Sequence, residues 1–148
     1  MAFQASGTFE VKLTPQPPVI GVGDPSLGRM ALDKQFRGDL EATSLGQMLA
    51  ANTATAGSAG YVALERVVGT LHGRAGSFTL QHSGTLNRGL PSLSVTVVPD
   101  SGDGELAGLA GSMTLELVGG KHSYRFDYVL AAPDAPAAGP DDDAGDRA

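Results

Sequence analysis

The chain contains no cysteine and no tryptophan. Without cysteine it can form no disulfide and offers no thiolate chemistry, which fits a cytoplasmic setting. Cations are scarce as well: ten Lys and Arg stand against sixteen Asp and Glu, for a net charge of −6. No basic stripe is present to follow a phosphate backbone, so no nucleic-acid partner is expected. No apolar run approaches the ~18 residues of a membrane-crossing helix, so no membrane partner is expected either. The first residues, MAFQASGTF, lack a basic segment followed by an apolar one, and no secretory leader is expected.

The acid is unevenly spread. Residues 132–148 hold five Asp and one Arg, which is −4 of the −6 and leaves −2 for the rest. That segment has Pro, Ala, Gly and Asp but no large apolar residue, so it cannot offset the entropy of ordering itself. The expectation is one β domain over residues 1–131 and a disordered, solubilising acidic tail over 132–148.

What is present is glycine, at 21 positions, among short runs that alternate apolar and polar residues. This pattern argues for an all-β barrel or sandwich. Eight strands are expected, over 7–13, 27–37, 38–46, a pair within 60–84 joined by a tight Gly73-Arg74 corner, 92–98, 112–118 and 122–130. Residues 14–26 hold four Pro and two Gly and read as a long loop. The Ala-rich stretch Gln47–Ala51 and the segment Glu105–Leu109 each have room for one helical turn.

The stretch from Gly60 to Gly84 carries the most information. Side chains of a strand alternate between its faces. Glu65 therefore shares a face with Ala63 and Val67, and His82 shares one with Phe78 and Leu80. Carboxylates are almost never buried without a partner. Lys34, the odd member of the row Met30, Leu32, Lys34 and Phe36, is the expected partner of Glu65. Tyr61, His122, Tyr124 and Tyr128 fall on apolar faces by the same alternation. Two readings stand side by side. The polar groups form a purely internal network, or they line a cavity in which Glu65, His82 and Tyr124 act on a ligand. In the second reading Lys34, Tyr61 and His122 add polar lining. Phe78, Leu80, Met113, Phe126 and Tyr128 supply the apolar wall.

Several chemistries find no support. The three histidines, His72, His82 and His122, lack the spacing of a metal motif, and no metal is expected. His72, beside Gly73-Arg74 and on the face opposite Glu65, is expected in solvent. SGDGELAG lacks the Gly-Lys-Ser/Thr end of a phosphate loop. Asp100, Asp103 and Glu105 do not have calcium-loop spacing. No Gly-x-Ser-x-Gly elbow occurs.

Four segments carry a family resemblance: KQFRGDLEATS at 34–44, GYVALERVVGTLHGRAGSFTLQHSGT at 60–85, SGDGELAGLAG at 101–111 and HSYRFDYVL at 122–130. In this order they resemble DUF3224, a family of small uncharacterised bacterial proteins, over about Phe9 to Leu130. The resemblance implies an eight-stranded antiparallel β-barrel similar to allene oxide cyclase, with dirigent-type proteins and polyketide cyclases as related barrels. Asp103 stands where the family usually has Thr, and the 14–26 loop is unusually rich in proline. The implied function is a barrel that binds a hydrophobic small molecule. If it is an enzyme, it is a cofactor-independent cyclase or isomerase, and related barrels are often homo-oligomers. The alternative is a non-catalytic structural or protein-interaction barrel with a filled core.

Overall fold

A computed structural model describes residues 2–131. The segment expected to form the acidic tail lies outside the described residues. The strands are β1 (Ala2–Gln16), β2 (Leu27–Gly38), β3 (Leu40–Asn52), β4 (Ala59–Leu71), β5 (Arg74–Asn87), β6 (Leu90–Val97), the two-residue β7 (Asp103–Gly104), β8 (Leu109–Val118) and β9 (Lys121–Leu130). Each long strand pairs antiparallel with its neighbours in the order β4-β3-β2-β1-β9-β8-β6-β5, and β5 pairs back to β4. The result is a closed barrel of eight antiparallel strands, as expected. β7 adds a short rung beside β5 at Gly76 and Ser77.

Closure leaves no free edge strand on most of the wall. The seam between β6 and β8 is thinner. Among the described residues these two strands share one paired position, Thr96 with Ser112.

The strands are longer than the alternation suggested. The 14–26 loop loses its first three residues to β1, because Thr14, Pro15 and Gln16 pair with Ala31, Met30 and Arg29. Gln47–Ala51 is strand, not a helical turn. It pairs on one side with β2 and on the other with β4, and two-sided pairing overrides weak local propensity. Residues 105–108 form turns joined by Leu106 N–H to Asp103 and Ala107 N–H to Gly104, so the expected helical turn is absent there too.

The hairpin turns sort the barrel into two ends. The connections 17–26, 53–58, 88–89 and 119–120 lie at one end, here the mouth. The Gly89 N–H bond to the Gly57 carbonyl ties two of them together. The connections at Asp39, His72–Gly73 and 98–108 lie at the far end. The interior of the far half is filled. Phe36, Phe78 and Phe126 are fully buried, and Leu106 packs among them from its turn. Phe78 stacks on Phe126 at 5.8 Å, and Phe126 on Tyr128 at 5.2 Å.

One glycine permits the approach that shapes the middle of the barrel. Gly46 of β3 stands opposite Glu65 of β4. A Cβ there would collide with the Leu64 carbonyl oxygen and lie 2.7 Å from the Glu65 Cα. We expect Gly46→Ala to cost about 1–3 kcal/mol, because backbone must move to relieve the overlap. Gly28→Ala is the control: its Cβ would meet nothing closer than 4.0 Å. Urea unfolding of the two variants checks this, with Gly28→Ala expected within about 0.5 kcal/mol of the parent.

Candidate functional site

Four adjacent strands present one polar cluster to the interior. Lys34 comes from β2, Ser44 from β3, Glu65 and Tyr61 from β4, and His82 from β5. Register places Lys34 beside Ser44 and Ala63 beside His82, so the inward side chains converge. Lys34 Nζ donates to Glu65 Oε2 at 2.9 Å, and Ser44 Oγ donates to Oε1 at 2.6 Å. His82 Nε2 lies 2.5 Å from Glu65 Oε2, and His82 Nδ1 lies 3.2 Å from the Tyr61 hydroxyl. Lys34, Ser44, Glu65 and His82 are each at most 3% exposed.

One proton arrangement satisfies every bond without net charge. His82 carries its proton on Nε2 and donates it to Glu65, and its Nδ1 accepts the Tyr61 hydroxyl proton. The Lys34 and Glu65 charges then cancel. The Lys34 ammonium also lies over two ring faces, 4.8 Å from the Phe9 centroid and 5.2 Å from that of Phe36. Burial pushes the Glu65 carboxyl up. The His82 hydrogen bond, the Lys34 charge and the Ser44 bond outweigh it and hold the carboxyl at about 2. Burial raises the Tyr61 phenol, and the Glu65 charge raises it further.

The Tyr61 ring carries the cluster to the edge of the surface. Tyr61 forms part of the wall of a cleft of about 260 Å³ at the mouth, with Ala59, Gly84, Leu86, Pro91 and Leu93. The lining is almost entirely carbon. Gly84 makes the junction possible, since a Cβ there would lie 2.6 Å from Tyr61 Cε1 and 3.1 Å from Leu93 Cδ1. An apolar cleft, a phenol, an imidazole, a carboxylate and an ammonium thus follow one another in a line.

A larger depression, about 800 Å³, lies on the outer wall between Leu45, Leu49, Val62 and Leu64. It lies over the outward faces of β3 and β4, where these four side chains are exposed. Glu65 borders it with backbone alone, because its side chain has no exposed surface. The titratable chemistry faces the other way, so we place the candidate site at the mouth.

The remaining expected site residues do not join it. Tyr124 is at the far end, where its hydroxyl accepts the Leu40 N–H at 2.9 Å and donates to the Arg37 carbonyl at 3.1 Å. It fastens a β2–β3 corner and does not meet Glu65. Tyr128 pairs with His72, whose Nδ1 is 2.5 Å from the phenol oxygen. His72 is exposed, as expected, but it is also engaged, with Nε2 3.6 Å from Asp39 Oδ2. Phe78, Leu80, Met113 and Phe126 belong to the packed core and do not line the cleft. His122 is half-buried and stacks on Phe9 at 4.9 Å. Ser44, Gly84, Leu86 and Leu93 were missed. Alternation puts Ser44 on the same side of its strand as Leu40 and Ala42, and that is its only signal in the sequence. Among the described residues no group of three or more His, Asp and Glu could hold a metal ion.

The chain matches the family model described as "Protein of unknown function (DUF3224)" over residues 5–128. The crystal structure of a DUF3224-family protein of unknown function from Shewanella oneidensis MR-1 is 49% identical in sequence. The match covers 89% of this chain and 100% of that one, with a TM-score of 0.82. Among curated proteins none matches.

Proposed function

The chain belongs to the DUF3224 family, and on that premise we propose that its barrel binds a small apolar molecule at the mouth. The observation that carries this reading is the line from cleft to charge: a carbon-lined cleft whose wall includes Tyr61, itself bonded to His82 and through it to Glu65. Ligand sites commonly combine an apolar lining with a few placed polar groups. At about 260 Å³ the cleft suits a small molecule or one end of a longer chain.

The reaction class we propose is a cofactor-independent isomerisation or cyclisation. The Tyr61 oxygen keeps lone pairs for a ligand proton. As that proton arrives, the phenol's own proton passes to His82 Nδ1, and Glu65 stabilises the imidazolium so formed. Return of a proton to a different ligand atom completes an isomerisation with atoms balanced. This is the logic of a base oriented by a third group. The barrel fold that the DUF3224 resemblance implies, similar to that of allene oxide cyclase, is in keeping with the same class.

The test is titration with the apolar fluorophore N-phenylnaphthylamine. Leu93→Trp should fill the cleft and abolish binding at an unchanged melting temperature, since Leu93 is exposed at the mouth. Tyr61→Phe should keep the binding. Undiminished binding by Leu93→Trp would overturn the assignment to this cleft.

A further inference from the structure

The mouth is an unusual place for large apolar side chains. The three most exposed ones in the described chain are Ile20 at 99%, Leu90 at 73% and Val118 at 71%. Each stands in or beside a different mouth turn. Val22 and Leu117 add to the same end. The loop that carries Ile20 is held rather than loose: Arg29 Nη1 donates to the Pro17 carbonyl at 3.1 Å, and Asp24 accepts from the Ser26 N–H and hydroxyl.

Charge is sorted along the same axis. Arg29, Arg88 and Lys121 stand at the mouth against Asp24 and Glu116. The far end carries Glu10, Asp39, Glu41, Asp100, Asp103 and Glu105 against Arg37, Arg66 and Arg74. The chain leaves the barrel at that end, at Leu130. One end is therefore apolar at its tips and slightly basic, and the other is acidic.

We propose that the barrel docks mouth-first on an anionic lipid bilayer. Apolar tips entering the acyl boundary, with a small excess of basic residues at headgroup level and most of the acid at the opposite end, are the elements of peripheral membrane attachment. The geometry also narrows the ligand class. Resting on the cleft reading above, the ligand is a bilayer-soluble amphiphile or hydrocarbon chain. Leu90 and Leu93 on β6 and Leu117 and Val118 on β8 are exposed on the mouth side of the two strands that flank the thin seam. Docking on a surface is distinct from spanning it. No helix among the described residues is long and apolar enough to cross a membrane, and apolar residues dispersed over turns make no run in the sequence.

Co-sedimentation with vesicles tests the proposal. The protein should pellet with phosphatidylcholine vesicles containing phosphatidylglycerol, and much less with phosphatidylcholine alone. Added salt should weaken the binding. Ile20→Asp and Val118→Asp should each lower partition about tenfold, the value of one buried aliphatic side chain. Both positions are exposed, so the melting temperature should hold. Leu93→Trp should still pellet, because it fills the cleft and leaves the tips intact. Three results would overturn the docking. One is no sedimentation with either vesicle. Another is sedimentation insensitive to Ile20→Asp and Val118→Asp. The third is a dimer in solution that Ile20→Asp dissolves, without vesicle binding, which would assign the face to a second copy of the chain. Fluorophore titration in vesicle-free solution reports on the cleft separately, so failure of docking and failure of the cleft reading are distinguishable.

Discussion

Replacing Lys34 by Met will remove about 3–5 kcal/mol of stability at neutral pH, the usual result of leaving one buried charge without its partner. Lys34 Nζ is 2.9 Å from Glu65 Oε2, and neither side chain is more than 3% exposed. The shapes of Met and Lys are close, so packing between the Phe9 and Phe36 rings is largely kept. The loss then measures the abandoned Glu65 charge. Total stabilities of small domains are about 5–15 kcal/mol, so this single change consumes much of the margin. The double variant Lys34→Met/Glu65→Leu should recover most of the loss, since an apolar pair often replaces a buried ion pair without penalty. Equal instability of the double and single variants in urea would show that packing, and not the charge, was responsible.

The second large effect is acid instability. The Glu65 carboxyl is held at about 2 in the fold against an ordinary value of 4.5. A depressed carboxyl favours the folded state only while it is ionised. Its contribution is complete above about pH 4.5 and fades as pH falls toward 2, because the unfolded chain takes up the proton first. The separation corresponds to about 3 kcal/mol. Urea midpoints measured from pH 6 down to pH 2 should fall steeply below about 4.5. Glu65→Gln, less stable at neutral pH, should show a flattened profile over that range. A profile as steep as the parent's would place the acid sensitivity on other carboxylates.

Much of this arrangement was legible in the sequence, and the reason is geometric. A strand has a period of two, so alternation tells which face a side chain takes. That sufficed to put Lys34, Glu65, His82 and Tyr61 inside and to pair Lys34 with Glu65. It also found most of the strands. Height along the barrel axis is another matter, because nothing in a period-two pattern encodes it. Tyr124 and Tyr128 share an inward face with His122, yet both lie at the far end, away from Tyr61. Phe78 and Leu80 sit on the inward face of β5 with Gly84 and Leu86, but the first two are packed core and the last two line the cleft. Which end is filled depends on Leu106, delivered from a turn that looked like a helical segment. Gln47–Ala51 misled for a related reason: its Ala-rich composition is weak locally and decisive only once β2 and β4 flank it.

The claim at the centre of this account is that the buried polar line opens into the apolar cleft at Tyr61. Heteronuclear NMR of the labelled protein during titration with octanol tests it most directly. Shifts are expected at the amides of Tyr61, Gly84, Leu86 and Leu93, accompanied by a shift of the His82 Nδ1 resonance as its partner phenol responds. Shifts confined to Leu45, Leu49 and Leu64 on the outer wall, with His82 unmoved, would contradict it.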